Sequence, residues 1–214
     1  MNTLARFEPR RDYHIYNRTN NKELLFRNSE NRRYFLNRLN YFLKDYVKFY
    51  AYSLLPNHFH LLIKVRSIDE IIENIKRIPN IKITKTQQRF LLQKDKNDLI
   101  NDLIVNQFLK FFTSYSKGFN KIYKRNGNLF ARSFKRSLVY NDSRLMYWHY
   151  YIIHNARKHN IVSDFRDHQW NSFLGIINEV NWLVFDDVIS LFGGKAEFVQ
   201  FMETEENGKI LFSS

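Results

Sequence analysis

The chain has 214 residues, 44% of them hydrophobic and 17% aromatic, with six glycines and three prolines, so it has enough apolar material for one well-packed domain with embellishments and is neither disordered nor collagen-like. It has no cysteine, which excludes disulfides and thiolate metal sites and leaves any metal to His, Asp/Glu, Asn/Gln or water. Its 34 Lys and Arg against 21 acids give a net charge of +13, which calls for a polyanionic partner, nucleic acid ahead of membrane.

The opening residues, Met1-Asn-Thr-Leu-Ala-Arg-Phe-Glu8, hold no apolar core of signal-peptide length, and no uninterrupted apolar run approaches membrane-spanning length. A cytoplasmic protein without membrane contact is expected. Residues 12–17 alternate and are rich in aromatics, a first strand, followed by turn chemistry with a basic tip at 18–22. Ser29 is placed to cap a helix over residues 31–46, where Phe35, Leu36, Leu39, Phe42 and Leu43 recur at helical spacing. Residues 47–54 read as a second strand, and Pro56-Asn57 as a short turn.

That turn leads into the histidine strand, the third, within the apolar run Ser53-Leu-Leu-Pro-Asn-His-Phe-His-Leu-Leu-Ile-Lys-Val65. Successive strand side chains point to opposite faces, so His58 and His60 share one face and Phe59 turns into the other. Two imidazoles side by side can grip a metal; a pair of partly buried histidines satisfied by backbone groups is the plainer alternative. Residues 68–78 look helical, Pro79 breaks the pattern, and 84–93 look helical again without evident chemistry.

A longer helix follows over about 99–123, with a break expected near Gly118, and then a turn at Asn126-Gly127-Asn128 and a strand over 129–140. Residues 103–141 carry eight basic residues (Lys110, Lys117, Lys121, Lys124, Arg125, Arg132, Lys135, Arg136) and no acid, interleaved with aromatics such as Phe111, Tyr115 and Phe130. Such a stretch suits a surface that tracks phosphates and stacks bases, although a charge run is commonly just a solvated face. Asp142 or Ser143 should cap a helix over 144–157 on which Tyr147, Tyr151 and Asn155 share a face at four-residue spacing. Taken alone, that helix reads first as an aromatic face packed on a sheet, and His154 is expected at the surface. Residues 163–214 turn acidic, with three basic and nine acidic residues, leaving 31 basic against 12 acidic residues before them. Nucleic acid should therefore meet the first three quarters of the chain, with a small helical appendage packed behind it.

Four ordered segments resemble one family, the HUH single-tyrosine transposases, in their REP-associated branch. They are Tyr13-His-Ile-Tyr-Asn-Arg18, Leu55-Pro-Asn-His-Phe-His-Leu-Leu62, Asn126-Gly-Asn-Leu-Phe-Ala-Arg-Ser-Phe-Lys135 and Tyr151-Ile-Ile-His-Asn-Ala-Arg-Lys-His-Asn-Ile-Val162. The order agrees along residues 12–173, and Leu-Phe-Gly-Gly-Lys195 looks like a C-terminal extension of that branch. Ala156 and Asn160 depart from its usual proline and glycine, and residues 67–106 look like an insertion.

The resemblance implies an α+β, ferredoxin-like or RRM-like antiparallel sheet with a tyrosine helix across it. It divides the chain into a catalytic domain over 1–162 and a helical extension over 163–214. It also implies His58, His60 and Asn155 as ligands of a divalent ion, Mg2+ or Mn2+, and Tyr151 as a nucleophile that forms a 5′-phosphotyrosine. The partner implied is single-stranded or hairpin DNA, met by Arg18, Lys117, Lys121, Lys124, Arg125, Arg132, Lys135 and Arg136, with the protein a monomer or homodimer. A non-catalytic nucleic-acid-binding module on an RRM-like sheet is the runner-up reading, and a metal nuclease that uses water and forms no covalent intermediate is the third.

Overall fold

The computed structural model describes residues 4–131 and 133–204, and at Lys22 the backbone alone; Arg132 lies outside the described residues. In chain order the main elements are β1 (Asp12–Arg18), α1 (Ser29–Leu43), β2 (Val47–Leu55), β3 (His58–Val65), α2 (Ile68–Lys76), α3 (Lys85–Leu92) and α4 (Asn97–Ile122). They continue with β4 (Lys135–Val139), α5 (Asp142–Ile153), α6 (Asn155–Lys158), α7 (Phe173–Ile177), α8 (Phe185–Phe192) and α9 (Lys195–Glu203). Among the described residues the strands form one sheet in the order β2-β3-β1-β4, and every neighbouring pair is antiparallel, which is the ferredoxin-like α+β arrangement expected.

Register sorts the side chains. In β1 and β3, Tyr13 pairs with Ile63, Ile15 with Leu61 and Asn17 with Phe59, while Tyr16 pairs with His60 and His14 with Leu62. The two-residue period therefore sends the aliphatic set to one face and the histidines to the other. The aliphatic face is covered by α1 and α4: the Phe35 ring lies 4.9 Å from those of both Phe59 and Phe111, and 5.2 Å from Tyr115. Each large apolar side chain buried here contributes roughly 1.5–3 kcal/mol. Gly118 does not break α4. A Cβ there would lie 2.8 Å from the Tyr34 hydroxyl, so the glycine lets α1 approach α4 closely.

The remaining differences from the sequence expectation are local. The fourth strand is Lys135–Val139 and not the whole of 129–140, because Ser133 takes a left-handed conformation (φ 56°) that takes the chain out of the ladder. Asn28 caps α1 in place of Ser29, accepting from Asn31 N, and Asn141 caps α5 in place of Asp142 or Ser143, accepting from Arg144 N.

Both sheet edges are covered. Leu4 bridges to Arg136 on β4, and Leu54 N donates to Trp170 O at 2.9 Å and Val184 N to Phe49 O at 3.1 Å along β2. The acidic C-terminal segment is thus stitched to an edge strand that would otherwise expose its hydrogen-bonding groups. Charge follows the same path: Asp187 of α8 accepts from Lys48 Nζ at 3.0 Å and from Tyr50 Oη at 3.1 Å. No helix among the described residues is long and apolar enough to cross a membrane.

His149, on α5, is fully buried beside Tyr50 and Phe192, and neither ring nitrogen has a hydrogen-bond partner. Burial drives its pKa down to about 3. The unfolded chain protonates this ring below pH ~6.5 and the folded chain does not, so stability is full above that value and is lost as pH falls toward 3. By pH 5 the loss is about 2 kcal/mol from this residue alone. Urea denaturation should therefore show His149→Phe gaining about that much relative to wild type at pH 5 over its effect at pH 8. An equal effect at both pH values refutes the assignment.

Candidate metal and tyrosine site

The histidine strand starts where the β2–β3 turn is pinned from outside. Thr19 N donates to Asn57 O at 3.0 Å, and Leu25 N and Phe26 N donate to Pro56 O at 2.7 and 3.1 Å. His58 leaves that turn half-buried, its Nδ1 2.7 Å from Asn57 Oδ1, so its Nε2 is the nitrogen left for other partners. Two residues on, His60 is buried with its Nδ1 2.8 Å from Nε2 of His14 on β1, and again Nε2 is left. Desolvation holds both rings in the neutral form that can ligate a cation: His58 is lowered to about 4, with the neighbouring His159 adding to the effect, and His60 lies well below the usual histidine range.

α5 crosses this face, packed on β2 and β3. Its residues sort sharply. The Trp148 ring stacks on His14 at 3.9 Å, and Tyr151 stands edge-on to His60 at 5.6 Å. Tyr150 points the other way, buried and stacked at 4.0 Å on His154. Tyr115, the tyrosine of the basic helix, is fully buried between α4 and α1 with its hydroxyl donating to Leu25 O at 2.8 Å.

The expected continuous helix over 144–157 is broken. α5 ends at Ile153, His154 has a non-helical backbone (φ −83°, ψ 1°), and α6 begins at Asn155. His154 is not at the surface as expected: α9 covers it, with its Nε2 2.9 Å from Met202 O and its ring 4.2 Å from that of Phe165. Across the break Asn155 is fully buried, and its side-chain amide finds no hydrogen-bond partner outside His58 and Tyr151. That amide raises the pKa of His58 and lowers that of Tyr151, so it lies close to both. Burial outweighs it at the phenol, whose pKa stays above the ordinary tyrosine value. A buried amide with no partner beyond those two side chains suits a third ligand beside the imidazoles.

The donor set fits a divalent cation: the Nε2 atoms of two imidazoles whose Nδ1 atoms are engaged elsewhere, and one amide oxygen beside them. No group of three or more His, Asp or Glu among the described residues is placed to hold a metal, so the amide is needed to complete a third ligand. Beside the histidines lies an open cavity of about 540 Å³ lined by Tyr16, Arg18, Asn57 and His159 among others. A larger cleft of about 970 Å³ lies at the other end of β2, lined by Lys44, Arg66, Arg77 and Trp182 but by no histidine or tyrosine.

The expected DNA-contacting cations divide. Arg18 lines the cavity, and Lys135 pairs with Tyr16 on the histidine face. Lys117, Lys121 and Lys124 are exposed on or just after α4, which covers the opposite face. Two arginines have structural partners. Arg125 bridges Glu23 at 2.7 and 2.8 Å, and Arg136 donates to Ala5 O at 2.6 Å and lies over the rings of Phe7 and Phe134.

Sequence reasoning assigns no role to His14, Tyr16, Trp148, Lys158 or His159. Alternation in β1 puts His14, Tyr16 and Arg18 on one face, a readable signal, but which strand that face meets depends on register. Lys158 Nζ lies 4.7 Å from the Tyr151 ring centre, and His159 stands 5.0 Å from His58.

An antiparallel ferredoxin-like sheet with paired histidines on one strand and a tyrosine helix across them is the arrangement the fold and site define. Among solved structures the chain is similar to a REP-associated tyrosine transposase bound to a REP hairpin, with a TM-score of 0.51 and 14% identity over 87% of this chain and 90% of that one. At that identity the likeness shows a shared fold. No family model and no curated protein matches the sequence.

Proposed function

We propose that the chain is a metal-dependent single-stranded DNA nicking and rejoining enzyme of the tyrosine-transposase type, with Tyr151 as nucleophile and His58, His60 and Asn155 as ligands of Mg2+ or Mn2+. The observation that carries this reading is Asn155, whose fully buried amide interacts with both His58 and Tyr151. The similar structure is that of a transposase bound to a hairpin, which supports hairpin-bearing DNA as the partner here.

A divalent cation on these ligands supplies Lewis-acid polarisation of the scissile phosphate. The rest belongs to the chain. Trp148 and the packing of α5 on the sheet hold the Tyr151 ring edge-on to His60. Its phenol oxygen forms a bond to phosphorus in line with the bond to the 3′-oxygen, which breaks and leaves as a protonated 3′-hydroxyl while the phenol loses its proton. The 5′-phosphotyrosine retains the phosphodiester energy for rejoining. Since burial holds the free phenol above its usual pKa, the apo site is not activated, and DNA without a metal should not be cut. Incubation with hairpin-bearing single-stranded DNA and Mn2+, read on a denaturing gel for a protein–DNA adduct, tests the proposal.

One observation favours a non-catalytic nucleic-acid-binding module instead, namely the lack, among the described residues, of a third His, Asp or Glu to complete a metal site. Under that reading the adduct never forms.

Affinity for such DNA should fall steeply with salt. Arg18 and Lys135 border the histidine face, so Arg18→Ala with Lys135→Ala should reduce the magnitude of the log–log salt slope by about 0.7 to 0.9 for each phosphate left without its cation. Fluorescence anisotropy across a salt series checks this, and an unmoved slope places the DNA elsewhere. Arg136→Ala is the contrasting variant, because its guanidinium holds the N-terminal segment at Ala5; it should lower stability.

A further inference from the structure

We infer that His14 is a positioning residue for the site, whose role is to hold the proton of His60 on Nδ1 and so keep the His60 Nε2 lone pair free for the cation. This rests on the reading of His58, His60 and Asn155 as ligands. The geometry is that of a directed bond. Nε2 of His14 and Nδ1 of His60 are 2.8 Å apart, and the two ring planes differ by 2° with centres 5.1 Å apart. Rings so related meet edge to edge in a nearly common plane, with the nitrogens on the line between them. One proton lies on that line. If it belongs to His60, its Nε2 is a lone pair facing the site and His14 carries its own proton on Nδ1; if it belongs to His14, then His60 carries a proton on Nε2 and cannot ligate.

His14 is itself fixed. It is buried on β1, stacked on the Trp148 indole at 3.9 Å and on Tyr16 at 5.2 Å. Trp148 lies three residues before Tyr151, and their rings are 5.2 Å apart. One helix therefore carries the nucleophile and clamps the ring that orients the metal ligand. Ligating histidines generally need such an outer partner on the second nitrogen, and its loss typically weakens metal binding about 10–100-fold.

Two measurements test the assignment. Two-bond 15N–1H correlation on the metal-free full chain, labelled at histidine, should find the His60 proton on Nδ1; a proton on Nε2 overturns the proposal without any variant. Mn2+ titration followed by electron paramagnetic resonance should show His14→Phe, which retains the stack but cannot accept, binding about 10–100-fold more weakly than wild type. His14→Gln, which offers an amide oxygen near the lost Nε2, should restore most of the affinity. Circular dichroism and hairpin binding in EDTA should be unchanged in both, and His14→Phe binding Mn2+ as tightly as wild type overturns the positioning role. A double His58→Ala, His60→Ala variant is the separate control: undiminished Mn2+ binding there overturns the ligand reading itself, whatever His14 does.

Discussion

Tyr151→Phe should bind hairpin-bearing single-stranded DNA and Mn2+ as wild type does, yet form no covalent adduct, because the substitution removes one oxygen and leaves the ring's packing intact. The ring edge faces His60 at 5.6 Å and stands 6.0 Å from Tyr147, an arrangement that phenylalanine preserves. The tyrosines around it do not substitute for it. Tyr115 is fully buried with its hydroxyl spent on Leu25 O, and burial raises its pKa far above the ordinary value. Tyr150 is buried against His154 and faces α9. Tyr115→Phe and Tyr150→Phe should both still form the adduct, although each is expected to lose about 0.5–1.5 kcal/mol of stability with any buried hydrogen bond removed. A gel with radiolabelled DNA reads both outcomes, and an adduct persisting in Tyr151→Phe contradicts the assignment.

His58→Ala and His60→Ala should each lower cleavage about 10³-fold or more, since the cation is asked to supply several kcal/mol of transition-state stabilisation. The fold should tolerate the first better than the second. His58 is half-buried at the mouth of the cavity, whereas His60 is buried and bonded to His14, so its loss leaves a buried nitrogen without a partner. Asn155→Ala should cost less, because amide oxygens are weaker ligands and water can take their place. Single-turnover cleavage rates across a Mn2+ series separate the three variants. Retained divalent-dependent cleavage in the double histidine variant refutes the metal role.

The sheet is legible in the sequence because its signals are short-range. Alternation in 12–18 and 58–65 and the two-residue turn at Pro56-Asn57 are enough to place the histidine pair on one face. The break after Ile153 is not legible, since it depends on α9 and Phe165 packing on His154 from far along the chain, and i,i+4 reasoning passes straight through it. The face of His14 is legible from alternation in β1, but its role is not, because that depends on which strand β1 neighbours. The basic run over 103–141 is less uniform than its composition suggests, because charge counts cannot tell Arg136, held against Ala5, Phe7 and Phe134, from Lys135 one residue away on the opposite face. Aromatics in the same run belong to the core: Phe111, Tyr115 and Phe119 are buried and none is a stacking platform.

The most direct test of the account is the identity of the atom that joins protein to DNA. Wild-type protein incubated with Mn2+ and a hairpin-bearing oligonucleotide, denatured, digested with nuclease and protease and mapped by mass spectrometry, should give one nucleotide-modified peptide, with the 5′-phosphate on Tyr151. A phosphotyrosine at Tyr115 or Tyr150, or cleaved DNA with a free 5′-phosphate and no modified peptide, contradicts it.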